Sequence, residues 1–266
     1  MNRPRDYRNA LIKMVEDGRI TPKSLEERLE KSFKFVEELE ALALKQHCEV
    51  IPGLVGTCLC PEMCIVSPTR YFYFQCLCES DKTPTMETVQ EATTKTAFSS
   101  GDGLLKATWG KDDIREDVST SADNESSIVL RVKPEGDAPF LLVGDAGCRG
   151  LSQAIQYSAS QGMPLSECKF LQIPHHGGRH NVSPKVLDRL VGPIVSPNAV
   201  PTKVAFVSVG KKSDHPRKCV VNAFVSRGCK VFVSKGTTIC HHEGGSSRVG
   251  WVPATQEAFS DRVEAW

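Results

Sequence analysis

The chain has 266 residues, of which 33 are Lys or Arg and 32 are Asp or Glu, so its formal net charge is +1. At roughly 100–200 residues per domain, this length suits one large domain or two small ones. An apolar content of 40% supports a hydrophobic core, and the balanced charge excludes a strongly basic protein that coats nucleic acid. We interpret residues 1–266 as a single domain.

The sequence predicts neither a membrane span nor a secretory signal. It has no run of about 18 apolar residues, and no apolar segment follows its charged start. Its eleven cysteines include no C-x-x-C pair. We interpret them as small buried residues of a cytoplasmic protein in a reducing compartment, with a soft-metal site as the alternative.

The N-terminal part of the chain is predicted to be helical. Apolar residues over 7–15 recur at helical spacing, with Gly18 as a C-cap. A longer helix is predicted over 22–47, with Ser24 and Glu27 as a capping box near its start. Its apolar face carries Leu25, Leu29, Phe33, Val36 and Leu39. The charged residues opposite are typical of a solvated face.

Short apolar runs follow these helices. Strands are predicted over three of them: 48–51, 58–60 and 63–66. Cysteines two apart, as at Cys58 and Cys60 and at Cys76 and Cys78, are expected to share one face of a strand. The aromatic-rich segment 67–78 fits either a strand or a short helix, because its periodicity favours neither.

Strands and helices alternate regularly beyond a polar stretch at 79–124, which we interpret as a surface loop or insertion. Strands are predicted at 127–132, 140–143, 170–173, 204–209 and 230–234. Helices are predicted at 150–161, 183–190 and 219–226. This alternation predicts an α/β (α+β) fold built in layers.

Polar side chains follow three of these strands. Asp145 follows the second strand, His175 and His176 follow the third, and Ser208 and His215 follow the fourth. We expect these groups to converge, because strand ends in one sheet commonly lie at one edge. A carboxylate with several imidazoles suits Zn, Mn or Fe, which can activate water at neutral pH.

Each of these residues also has an ordinary structural interpretation. Asp145 suits a turn or an N-cap, the adjacent His175 and His176 suit an exposed loop, and His215 before a proline suits a turn. Their occurrence after three successive strands favours a shared site.

Four motifs carry a family resemblance. They are NESSIVLRV at 124–132, FLLVGDAG at 140–147, LQIPHHGG at 171–178 and SVGKKSDHP at 208–216. In this order they resemble the metallo-β-lactamase superfamily. The similarity is greatest to the branch found in competence-type DNA-uptake proteins and small stand-alone metallohydrolases. The motifs span about half of the chain.

The resemblance implies an αββα sandwich with two divalent metal ions, zinc or manganese. It implies a catalytic, metal-bridging role for Asp145 and a metal-ligand role for His175 or His176, with the choice between them open. It also implies substrate-binding residues, namely Asn124, Ser208 and His215. In that family a metal-bound hydroxide is the nucleophile, so His215 would contact the scissile phosphate or protonate the leaving group.

One family motif is not found. The H-x-H-x-D-H turn precedes the other motifs in the superfamily, whereas this chain contains no H-x-H. We therefore expect a sandwich that is incomplete at its N-terminus. A truncated sequence, a split gene and a degenerate relative all remain open as explanations. Missing strands would leave an open sheet edge, so we expect a partner chain or a homo-oligomer.

The leading functional hypothesis is a metal-dependent hydrolase that acts on a phosphodiester or nucleic-acid-like substrate. The alternative is a non-catalytic or truncated relative that acts as an interaction protein. It includes a nucleic-acid-binding module based on Lys211, Lys212, Arg217 and Lys218. A lactam or thioester substrate is a third hypothesis.

Overall fold

The computed structural model of the chain describes residues 2–14, 21–83, 103–242, 245 and 248–266. Its helices are α1 (Arg8–Leu11), α2 (Pro22–Ser32), α3 (Lys34–Lys45), α4 (Arg70–Glu79), α5 (Ala122–Glu125), α6 (Cys148–Ser160), α7 (Pro184–Leu190) and α8 (Lys218–Val225). Its strands are β1 (Cys58–Cys60), β2 (Met63–Ser67), β3 (Leu104–Lys106), β4 (Val129–Val132), β5 (Phe140–Leu142), β6 (Phe170–Gln172), β7 (Lys203–Val207), β8 (Cys229–Val233) and β9 (Arg262–Glu264). The predicted α/β class is confirmed.

One mixed sheet organises the domain. Seven strands lie in the order β1-β2-β4-β5-β6-β7-β8. The pairings from β1 to β5 are antiparallel, and the pairings from β5 to β8 are parallel. Helices α6, α7 and α8 connect the parallel strands in turn. The strands and helices predicted beyond residue 124 are confirmed, with boundary differences of a few residues.

The sheet buries one face much more deeply than the other. Adjacent strands align Leu141, Leu171, Ala205 and Val231 in one row, and each of these residues is at most 1% exposed. This row belongs to a core cluster that includes residues of α6, α7 and α8. Phenylalanines of β5 to β8 form a half-buried aromatic row on the other face, with successive ring centroids 6.3, 4.9 and 5.6 Å apart. The rings belong to Phe140, Phe170, Phe206 and Phe232.

The N-terminal helices differ from the sequence prediction in two ways. The long predicted helix is broken at Phe33, which separates α2 from α3. Thr21 rather than Ser24 is the N-cap of α2, since its side chain accepts from the Ser24 N–H while the Ser24 hydroxyl accepts from the Thr21 N–H. The predicted C-cap Gly18 lies outside the described residues.

Two other local predictions are wrong, namely the strand at 48–51 and the shared strand face of Cys76 and Cys78. Of the two alternatives for 67–78, the structure has the helix: the segment lies mainly in α4, whose N-cap Thr69 accepts from the Phe72 N–H. Cys76 and Cys78 therefore lie on a helix rather than on one face of a strand. Of the predicted loop at 79–124, residues 84–102 lie outside the described part, and the remainder includes β3, which pairs with β9.

Only some of the cysteines are buried, although the sequence predicts them to be small buried residues. Four are fully buried, namely Cys76, Cys168, Cys219 and Cys229, and three are exposed, namely Cys48, Cys58 and Cys240. All eleven are free thiols. Burial raises the pKa of the Cys168 thiol to about 11, so this thiol is protonated and unreactive at neutral pH.

The helices in the described ranges are too short or too polar to cross a lipid bilayer.

A buried guanidinium ties α7 and α8 to the loop that precedes α5. The Arg227 side chain is 1% exposed and donates two hydrogen bonds to Asp112, at 2.8 and 2.7 Å. It also donates to Asp188 Oδ1 at 3.0 and 2.8 Å and to the Ala223 carbonyl at 3.0 Å. This fork satisfies a charge that would be very costly to bury alone.

We predict that Arg227→Ala lowers the free energy of unfolding by about 3–5 kcal/mol, because it leaves the Asp112 carboxylate largely buried without its partner. Urea denaturation followed by circular dichroism measures this change. Arg189→Ala removes an exposed arginine from α7 and serves as the matched control, with an expected change within about 0.5 kcal/mol. Equal effects of the two variants would contradict the prediction.

Candidate functional site

The candidate site lies at the carboxyl edge of the parallel strands. Asp145 follows β5 and His175 follows β6, and the parallel pairing of these strands brings the two loops together. Asp145 Oδ2 lies 3.5 Å from His175 Nδ1, and Asn124 Nδ2 lies 3.5 Å from the same nitrogen. The His175 N–H donates to the Gly144 carbonyl at 3.1 Å, which fixes one loop to the other. Asp145, His175 and Asn124 therefore form one cluster.

His176 faces away from this cluster. It is exposed, and its Nδ1 lies 2.6 Å from the Ser208 carbonyl oxygen, so the imidazole donates a hydrogen bond to the loop after β7. The ring centroids of His175 and His176 are 5.9 Å apart. Of the two histidines, His175 is the one whose ring nitrogen approaches Asp145.

The turn that carries both histidines requires glycine at Gly177. His175, His176 and Gly177 have φ angles of 45, 57 and 79°, a run of left-handed conformations. A Cβ on Gly177 would lie 2.4 Å from Pro216 Cβ. The Gly177 carbonyl also accepts from the Arg217 N–H at 3.1 Å. This close approach holds the histidine turn against the loop that carries His215.

Two polar residues that the sequence does not predict as site residues support these loops. Asn181 is fully buried and donates to the Asp145 carbonyl at 2.8 Å. Gln172 Oε1 accepts from the N–H groups of Val143 and Gly144, at 2.9 and 3.1 Å. The signal that could have identified Gln172 is a single polar residue in an otherwise apolar strand.

Glu125 caps the helix that follows the G-D-A-G motif. Its side chain accepts from the Gly150 N–H at 2.8 Å and from the Arg149 N–H at 3.4 Å, although the residue is only 2% exposed. A Cβ on Gly147 would lie 2.3 Å from Glu125 Oε1, so this glycine makes room for the carboxylate. Burial raises the pKa of Glu125, and the two N–H groups oppose that effect. Glu125 directly follows Asn124, but the sequence does not predict it as a site residue.

A cavity of about 450 Å³ opens beside the cluster. It is lined by three imidazoles, two guanidinium groups, two hydroxyls and small polar groups, which belong to His175, His180, His215, Arg179, Arg217, Ser119, Thr120, Asn181 and Gly178. None of these lining residues is acidic. The composition favours a ligand with negative charge and several hydrogen-bond acceptors.

His215 lines this cavity, and its surroundings favour the neutral imidazole. Burial lowers its pKa from 6.5; the neighbouring Asp214 opposes that shift, and the positive charge of Arg217 adds to it. His215 Nδ1 is buried without a hydrogen-bond partner among the described residues, and the nearest Asp214 oxygen is 3.7 Å away. Because Nδ1 is buried, Nε2 is the ring nitrogen available for a hydrogen bond with a ligand in the cavity.

The two arginines of the cavity are held in place by other groups. Arg217 Nη2 donates to Asp214 Oδ2 at 2.7 Å. Arg179 Nη1 donates to the Ala265 carbonyl at 2.5 Å, and its guanidinium lies 4.9 Å from the centroid of the Trp266 ring. Each guanidinium has five donors, so these contacts leave donors available to an anion.

The residues present do not complete a metal site. No group of three His, Cys, Asp or Glu side chains in the described part of the chain is arranged to hold a metal ion. The Asp145–His175 distance of 3.5 Å is close to the roughly 3.3 Å between two ligands of a tetrahedral zinc with bonds of about 2.0–2.1 Å. Zinc sites use three or four protein ligands, so this pair supplies at most part of one.

Three comparisons with known proteins found no relative of this chain. No protein-family model, no curated protein and no solved structure matches it.

We predict that Gly177→Ala lowers the free energy of unfolding by at least about 2 kcal/mol, because it adds a clash with Pro216 to the strain of a left-handed alanine. Urea denaturation of the purified variants measures the change. Gly136→Ala is the matched control, since Gly136 has φ +76 with nothing within 4 Å of the added Cβ. If both variants lose the same stability, the contact with Pro216 contributes nothing.

We predict that the stability contributed by Glu125 falls as pH rises. Because its pKa is raised in the folded state, the folded protein holds the proton more tightly, and this stabilisation is lost above the ordinary value of 4.5. The difference in unfolding free energy between wild type and Glu125→Gln should therefore decrease from about pH 4 to about pH 7. Urea titrations across this range measure it, with Glu27→Gln on the exposed surface of α2 as the control. A difference that increases with pH would contradict the prediction.

Proposed function

We propose that this chain is the phosphodiester-binding part of a cytoplasmic metal-dependent hydrolase with a metallo-β-lactamase-type αββα sandwich, and that a partner chain completes its metal site. One observation carries the proposal. A cavity lined by imidazoles and guanidinium groups adjoins a carboxylate–imidazole pair with the spacing of two ligands on one ion. The order of the four motifs provides independent support from the sequence.

A phosphodiester fits the cavity better than a neutral substrate does. Guanidinium groups form paired hydrogen bonds with phosphoryl oxygens, and Arg179 and Arg217 line the cavity, although Asp214 offsets part of the Arg217 charge. Neutral His215 is suited to form a hydrogen bond with a phosphoryl oxygen, whereas protonation of the leaving oxygen would require its imidazolium form. A lactam or a thioester carries no comparable negative charge and would not use both arginines.

The partner chain is proposed because this chain has too few metal-binding side chains. Asp145 and His175 are the two ligands that it would contribute to a zinc or manganese ion, and the partner chain would supply the others. The aromatic row from Phe140 to Phe232 is consistent with a second layer, because parallel strands are normally covered on both faces. The free thiols, four of them buried, suit a reducing cytoplasm.

A second candidate is a non-catalytic nucleic-acid-binding module. Exposed Lys211, Lys212 and Lys218 lie near Arg217 in the chain, which favours contact with a phosphate backbone. Carboxylates reduce this positive charge, because Asp214 pairs with Arg217 and Glu264 accepts from the Lys218 N–H. The cavity therefore supports the hydrolase-type proposal more strongly than the surface lysines support this one.

We predict that Arg217→Ala weakens binding of a thymidine dinucleotide at least about tenfold, the loss of about 1.4 kcal/mol expected from one charge-assisted hydrogen bond. Isothermal titration calorimetry measures the affinity. Arg189→Ala, outside the cavity, should leave it unchanged. If the wild-type chain does not bind the dinucleotide, or if Arg217→Ala does not change its affinity, the proposed phosphodiester site is contradicted.

The proposal that a partner chain completes the metal site is tested separately, by measuring the zinc content of the purified chain. The chain alone should retain less than one zinc per chain after gel filtration, since two donors hold zinc weakly. Two tightly held ions, lost in Asp145→Ala, would contradict the need for a partner chain.

Oligonucleotide binding that depends on Lys211 and Lys212 rather than on Arg217, with a steep salt dependence, would favour the second candidate.

A further inference from the structure

Helix α3 presents its apolar side to solvent. Phe35, Leu39 and Leu42 follow the i, i+4, i+7 spacing of one helix face, and they are 80, 54 and 55% exposed. We name these three residues the α3 stripe. The apolar spacing predicts Leu39 on the buried face of its helix, and this prediction is wrong. Neighbouring exposed apolar side chains on one helix face are a common feature of interaction surfaces.

Ion pairs explain why α3 is turned this way. Its inward side carries Glu37 and Glu40, which pair with arginines of the N-terminal segment. Arg5 contacts both carboxylates, and Arg3 Nη2 lies 2.6 Å from Glu40 Oε1. Glu40 is only 8% exposed. Because the charged side is used internally, the opposite side of the helix, which is apolar, faces outward.

The residues on each flank of the stripe can pair with the same flank of a second copy of the chain. Glu38 and Lys45 lie seven residues apart along one flank, and both are exposed. Val36 and Ala43, also seven residues apart, lie along the other flank and are half-buried. In an antiparallel pair of α3 helices with Leu39 against the partner's Leu42, Glu38 comes opposite the partner's Lys45. The two-fold axis repeats this pairing.

We propose that α3 mediates antiparallel dimerisation of two copies of this chain, through the α3 stripe and two Glu38–Lys45 pairs between copies. A parallel pair would place Glu38 beside Ala43 or Val36 and leave the charges without partners. Glu38 already lies 3.1 Å from Lys34 on its own helix but stays 57% exposed, so it can also reach a second copy. This inference is independent of the proposed hydrolase function.

The interface is small. Helix α3 has 12 residues and is about 18 Å long at about 1.5 Å per residue. Stable interfaces bury about 1,200–2,000 Å² in total, and one such helix pair is at or below the lower limit. We therefore expect a reversible dimer with a Kd above about 1 µM.

Charge reversal across the interface tests this proposal. Sedimentation equilibrium of the full chain, from about 1 µM to about 1 mM, measures the monomer–dimer constant over the expected affinity range. Glu38→Lys and Lys45→Glu should each raise Kd about tenfold or more, because each places like charges opposite one another twice per dimer. The double variant Glu38→Lys/Lys45→Glu should restore the wild-type Kd. Leu39→Glu should abolish the dimer.

Controls separate this interface from a general effect of charge or folding. Glu27→Lys makes the same charge change at an exposed position of α2 and should leave Kd unchanged. Circular dichroism should show the same helix content in all variants, since the substituted side chains are exposed. A wild-type chain that is monomeric at about 1 mM would overturn the proposal. So would a double variant that dimerises no better than the single variants.

Discussion

Parallel pairing of β5, β6 and β7 is the constraint on which the candidate site depends. Parallel strands run in the same direction, so the loops after these strands must leave the sheet at one edge. Asp145, His175 and His215 belong to three separate sequence motifs, and this geometry alone makes them neighbours. The ordinary structural explanations of these residues are compatible with this arrangement, since each lies in a connection that follows a strand.

The loops at this edge of the sheet are held in defined positions because backbone and side chains pack tightly around them. Gly177 permits contact between the histidine turn and Pro216, and Gly147 permits the Glu125 carboxylate to reach the first turn of α6. Asn181 and Gln172 bind the backbone of the loop that bears Asp145. The glycines of these two motifs therefore serve packing, whereas His175, beside the histidine-turn glycines, lines the cavity.

The molecule combines a well-packed core with apolar surfaces that remain accessible. The sheet face toward α6, α7 and α8 is fully buried, while the aromatic row and the α3 stripe are open to a greater extent. The two surfaces lie on different elements and suggest different contacts. The aromatic row continues a sheet that favours a second layer, and the α3 stripe matches its own copy. Both inferences share one physical cause, which is apolar area that the described part of the chain does not bury.

The sequence by itself determined the α/β class, the strands beyond residue 124 and the residues that follow them, because short apolar runs and strand-terminal turns are local patterns. It also identified Asp145, His175 and His215 as one candidate group. Local patterns did not determine which of His175 and His176 faces Asp145, because left-handed turn residues have no fixed periodicity. Nor did they reveal the outward turn of α3, which depends on ion pairs between Glu37, Glu40 and the distant Arg3 and Arg5. Those contacts exist only in the tertiary structure, since residues far apart in the chain must first be brought together by folding.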